Sequence, residues 1–138
     1  MKKIILPAIV IAAIVVITTI MALNDEGTNL HIIKDESYYS DFSVEDNRVY
    51  IKCDLKIQNS SSEDKVFILD AIMKEDVVLG LLKNKNLQGF DDQLIDRNFI
   101  IKKNSSSRFY VIFVGEFAGT NKKHDRNLPE IIITEVQD

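Results

Sequence analysis

Arg48-Val49-Tyr50-Ile51-Lys52-Cys53-Asp54-Leu55-Lys56-Ile57-Gln58-Asn59 carries the plainest fold signal in this chain. Val49, Ile51, Cys53, Leu55 and Ile57 take every second position, and Tyr50, Lys52, Asp54, Lys56 and Gln58 lie between them. Successive side chains of a β-strand point to opposite faces, so this period of two describes a strand buried on one face and wet on the other. Cys53 falls on the apolar side, where a thiol behaves as a small buried hydrophobe. The run Asn59-Ser60-Ser61-Ser62-Glu63-Asp64 that follows is made of short polar side chains that compete with backbone pairing, which predicts a turn. A second strand is expected from Lys65 to about Met73, with Phe67, Leu69, Ala71 and Met73 on one face. It either forms a hairpin with the first or crosses to a facing sheet.

Further along, Val77 to Leu82 is a continuous apolar run around Gly80, and its periodicity suits a short strand and a helical turn equally. Asn84 to Asp96 reads as a polar connection, pinned to the body by Phe90 and Leu94. Phe99 to Ile101, a turn at Lys102 to Ser107, and the strand Arg108 to Gly115 come next. That last strand has Phe109, Val111 and Phe113 on one face and Tyr110, Ile112 and Val114 on the other, as a strand covered on both sides requires. After a loop from Glu116 to Asn127, Pro129 limits where pairing begins, and Glu130 to Val136 closes the chain as a β-branched strand. In the other direction, Leu30, Ile32 and Ile33 predict a brief edge strand. Short strands, turns at intervals of about ten residues and almost no helical periodicity after residue 24 predict an all-β fold, an antiparallel β-sandwich of about six or seven strands.

Ahead of this region, Ile4 to Leu23 is twenty residues long without a charge. As a helix rising about 1.5 Å per residue it spans roughly 30 Å, the thickness of a bilayer's hydrocarbon core. Pro7 falls in its first turn, where a missing N–H costs little. Lys2 and Lys3 precede the run and Asp25 and Glu26 follow it, which predicts a cytoplasmic N-terminus and an extracytoplasmic remainder. Residues 1–23 are therefore expected to be a single-pass signal anchor or transmembrane helix, residues 24–29 a tether, and residues 30–138 the β-sandwich domain. Secretion after signal cleavage is the rival reading. The apolar run is longer than the usual signal core, and Ile20 takes the place of a small residue three before a cut after Ala22.

The chain of 138 residues carries a net charge of −4, and without Lys2 and Lys3 the remainder stands near −6. An acidic domain lacks the clustered Lys and Arg that phosphate backbones need, so nucleic acid is not an expected partner. A single cysteine excludes an internal disulfide and a four-cysteine zinc site. His31 and His124 lie near opposite ends of the domain with no ligand spacing around them. Asp91, Asp92 and Asp96 lack the order and closing Glu of a calcium loop. Ser60 to Ser62 and Ser105 to Ser107 sit at predicted turns without a Gly-x-Ser-x-Gly elbow. Asn59-Ser60-Ser61 and Asn104-Ser105-Ser106 match the glycosylation acceptor pattern. No catalytic residue, cofactor or metal is expected. The surface feature that stands out is the basic run containing Lys122, Lys123, His124 and Arg126, read as a contact for anionic headgroups, a cell-wall polyanion or an acidic protein.

The order of features resembles the immunoglobulin-like, telokin-like sandwich domains that many Gram-positive bacteria carry outside the membrane behind a lipid or helical anchor. It runs from a strand ending in Asn-Ser turn chemistry, through a second strand and a long middle loop, to a Phe-containing strand, a polar turn, a Phe-rich strand and an Ile-rich one. The resemblance covers about Val49 to Val136. The chain departs from the pattern at Asn104 to Ser107, where such domains often place Gly, and it has no lipobox cysteine. The resemblance and the anchor together imply a membrane-anchored extracytoplasmic binding module without catalytic activity, presenting loops or a free sheet edge to a protein or cell-envelope partner. An accessory subunit whose helix packs inside a membrane complex is the alternative, for which Ala8, Ala12 and Ala13 supply small residues at packing spacings.

Overall fold

The computed structural model describes residues 29–121 and 127–137. The anchor expected at residues 1–23 and nearly all of the tether lie outside the described residues. Among the described residues no helix is long and apolar enough to cross a membrane.

The described chain is all-β and mostly antiparallel. Its strands are β1 (Leu30–Ile32), β2 (Tyr38–Glu45), β3 (Arg48–Asn59), β4 (Lys65–Ile72), β5 (Asn86–Phe90), β6 (Phe99–Ile101), β7 (Ser105–Glu116) and β8 (Glu130–Glu135), with a 3-10 turn at Lys34–Glu36 between β1 and β2 and a short α-helix, α1 (Lys74–Val78), between β4 and β5. Eight strands replace the six or seven expected. β2 was hidden because a bulge between Tyr39 and Asp41 puts its inward residues at Tyr39, Phe42 and Val44, which breaks the period of two. Its hairpin to β3 turns on Asp46 and Asn47, both with positive φ (51° and 65°), the two-residue turn whose twist matches paired strands. β5 lies inside the stretch read as a polar connection, because Asn86, Gln88 and Gly89 leave only Leu87 and Phe90 as apolar signal. Ser105, Ser106 and Ser107 open β7 opposite Asn59, Gln58 and Ile57, so they extend the strand that had been expected to start at Arg108. The ambiguous run at Val77 resolves into the end of α1, then Gly80 at φ 81°, then Leu81 and Leu82 buried beneath the sheet.

β3 is the strand its alternation predicted, with Val49, Ile51, Leu55 and Ile57 fully buried and Cys53 beside them. β7 pairs with it along its whole length, and β1 and β2 share its other edge. β3 and β4 do not pair. They belong to one buried cluster with Phe67, Leu69 and Ala71 of β4, so the chain crosses the core between them and the fold is sandwich-like. β4 takes β8 on one edge and β5 and β6 on the other.

β5 joins the two layers, since Gln88 is opposite both Asp70 of β4 and Val114 of β7. This corner is tight. A Cβ at Gly89 would lie 2.8 Å from the Leu69 carbonyl oxygen and 2.9 Å from the Phe113 ring, and one at Gly115 would lie 2.6 Å from Leu82 and Leu87 side chains. The sheet is thus closed on one side at β5 and open on the other, between the β1–β2 edge and β8.

Candidate functional site

A cleft of about 610 Å³ opens at the unclosed side, lined by Leu30, Ile32, Leu128, Ile131 and Ile133, with His31, Lys34 and Glu130 at its polar margin. Its walls are two strand edges, and the hydrogen-bond phase shows which backbone groups face it. Val136 N–H donates to the Val66 carbonyl at 2.8 Å, so the even-numbered residues of β8 bond to β4, and Ile131, Ile133 and Glu135 direct their N–H and C=O away from it. On β1, Ile33 N–H donates to Lys56 and Ser60 N–H to Asn29, which turns the backbone groups of Leu30 and Ile32 to the cleft. Among the described residues neither set pairs with another strand. Such edges are templates for an added strand.

The neighbouring charges are structural. Lys65 pairs with Glu135 at 2.8 Å, and that carboxylate holds the lysine above its ordinary pKa. Within β3, Asp54 is buried where Arg108 donates to it at 2.5 Å and the Tyr38 hydroxyl at 2.8 Å, with the guanidinium 5.9 Å from the Tyr38 ring centre. The hydrogen bond to Asp54 raises the Tyr38 pKa. This group ties β2 across β3 to β7. Arg97 similarly joins Asp70 at 2.9 Å beneath the Phe90 ring and holds the 91–98 connection onto β4 and β5.

His31 stands on β1 at the cleft margin, whereas His124, with Lys122, Lys123 and Arg126, lies outside the described residues. Cys53 is buried, and burial pushes its thiol up to about 12, far from a reactive thiolate. Asp91 folds its own loop by accepting the N–H groups of Gln93 and Ile95 at 3.2 and 2.9 Å. Among the described residues no group of His, Cys, Asp and Glu is placed to hold a metal ion.

The two glycosylation patterns part company. Asn59 is fully buried: its amide nitrogen donates to the Glu63 and Lys102 carbonyls at 2.9 and 3.2 Å, and its oxygen accepts the Ser61 N–H and hydroxyl at 3.0 and 2.7 Å. Every polar valence of that side chain is spent inside the fold. Asn104 stands exposed at the β6–β7 turn.

The cleft was not readable in the sequence, because β1 and β8 are about a hundred residues apart and meet only when the sheet folds at β5. The available hint was the Pro129 that precedes three consecutive isoleucines, a mark of an edge strand. Comparison of the chain with protein-family models, with curated proteins and with solved structures finds no match.

Proposed function

We propose that the protein is a membrane-anchored, extracytoplasmic binding module in which the free edge of β8 takes an extended strand from a protein partner. The observation that carries the proposal is the cleft: apolar side chains on its floor and outward-facing backbone groups of Ile131, Ile133 and Glu135 along one wall. An added strand gains affinity from the backbone ladder and selectivity from alternate side chains seated in the cleft. The anchor belongs to the same proposal and rests on the uncharged run of residues 4–23 behind Lys2 and Lys3. Likeness to the immunoglobulin-like, telokin-like domains is proposed on the order of the strands from β3 to β8. Lys122, Lys123, His124 and Arg126 are proposed as a separate electrostatic contact, entering the chain just before the cleft residue Asn127.

A photo-reactive side chain placed at position 131 of the full chain, in its own membrane, tests the proposal. It should form adducts with a second polypeptide, and the same group at Ile100 on the exposed face of β6 should not. The adducts should vanish in Ile133→Pro, which removes an outward N–H without taking a bond from β4. Equal labelling from both positions, or none from 131, would refute the module. Replacing residues 4–23 with an unrelated apolar helix should leave the adducts intact; an accessory subunit held by its helix would lose them.

A further inference from the structure

We infer that the outward face of β2, β3 and β7 carries a binding site for a glycan chain, built to seat an N-acetylhexosamine unit. The site stands apart from the β1–β8 cleft and rests on none of its residues. A depression of about 310 Å³ lies between Ser43 and Glu45 of β2 and Asp92 and Leu94 of the loop after β5. Tyr50, Lys52 and Ile112 form its floor. Nearby, the side chains of Asp54, Asp70, Arg97 and Arg108 are all engaged with one another. Among the described residues those of Ser43, Glu45, Tyr50, Lys52 and Asp92 have no such partner. Two carboxylates, an ammonium and two hydroxyls therefore converge on one concavity with their polar valences open, the mark of a small-ligand site.

The loop wall is formed in advance. Asp91 accepts the N–H groups of Gln93 and Ile95, Arg97 ties the loop to Asp70, and Leu94 is held at φ 58°, where an L side chain is seldom found. Ile112 is 8% exposed, yet it belongs to the outward face and not to the core cluster, so with Leu94 it gives the depression one small apolar spot. These groups select among ligands. The two carboxylates repel a phosphate, and Lys52 repels a metal ion. In strand order Lys52 stands between the two carboxylates, so the site runs acceptor, donor, acceptor. Its complement is a carbonyl flanked by donors. An acetamido oxygen meets Lys52, its methyl meets Leu94 and Ile112, and ring hydroxyls donate to Glu45 and Asp92. A peptide terminus with a single ammonium would satisfy one carboxylate and leave the other unpaired.

The same face extends the site along the strands. Tyr38 and Tyr110 flank Asp54 on the adjoining strands and are 53% and 59% exposed. The Tyr38 hydroxyl donates to Asp54 at 2.8 Å and Arg108 lies against its ring, so the ring is fixed before a ligand arrives. The negative face of such a ring attracts the C–H face of a pyranose. Tyr110 and Val114, the partner of Tyr50, are about 13 Å apart at about 3.3 Å per residue, a span for a short oligosaccharide.

Calorimetric titration of the full chain in mild detergent with chitotetraose, a tetramer of N-acetylglucosamine, tests the site. Saturable binding is expected, and cellotetraose, with hydroxyls in place of the acetamido groups, should bind about tenfold more weakly. Lys52 and Asp92 are exposed, so the fold tolerates Lys52→Met and Asp92→Asn, and each should weaken chitotetraose about tenfold. Lys102→Met, on the β6–β7 turn, should leave it unchanged. Absence of saturable binding, equal binding of cellotetraose, or binding indifferent to Lys52→Met would overturn the inference.

Discussion

Asn59 shows how one side chain decides a crossing point. It ends β3, and its four hydrogen bonds bind the turn at Ser61 and Glu63 to the start of the β6–β7 turn at Lys102. Net contributions of about 1 kcal/mol per bond, together with stranded carbonyls, put the cost of Asn59→Ala at about 2–4 kcal/mol. Urea unfolding of the full chain in mild detergent, followed by tyrosine emission because the chain has no tryptophan, reads that cost. Gly89 acts by what it lacks. With the Leu69 carbonyl oxygen and the Phe113 ring in the space of a Cβ, Gly89→Ala must push β5 away from β4, and we expect a loss of about 1–3 kcal/mol in the same titration. The sequence showed Asn59 as a turn residue and Gly89 as a loop residue; both assignments missed the partners, which come from strands far along the chain.

The loop after β5 is held by Asp91, whose carboxyl the Ile95 N–H and further loop amides hold below its ordinary value of 3.8. A carboxylate with a depressed folded-state pKa adds stability above its unfolded pKa and loses it as pH falls through the folded one. The amide resonances of Gln93 and Ile95 should therefore shift below about pH 3.8, and Asp91→Asn should remove the shift. An unchanged titration in that variant would show that another group holds the loop. Strand elements were readable where one face is buried without interruption, as in β3 and β4. β2 was not, since its bulge resets the alternation, and β5 was not, since at a corner between layers its inward position must be glycine.

The two layers are clamped by Phe67, Phe99 and Phe109, with Phe67 stacked 5.7 Å from Phe99 and edge-on to Phe109 at 5.5 Å. Phe67→Ala should cost about 3–5 kcal/mol and, because β4, β6 and β7 meet there, should accelerate amide exchange in all of them together. Exchange confined to β4 would show that the layers are not one cooperative unit. The proposed anchor makes a prediction for the intact chain: it should stay with membranes through high-salt and alkaline washes, and release by either would remove the membrane placement. The all-β class, the extents of β3, β4 and β6, and the burial of Cys53 follow from local alternation, because a strand with one wet face records that face in every second residue. The pairing of β5 with both layers, the staple at Asn59 and the open side between β1 and β8 were settled by folding alone. They depend on which distant backbones come within hydrogen-bond reach, and no spacing along the chain encodes that distance.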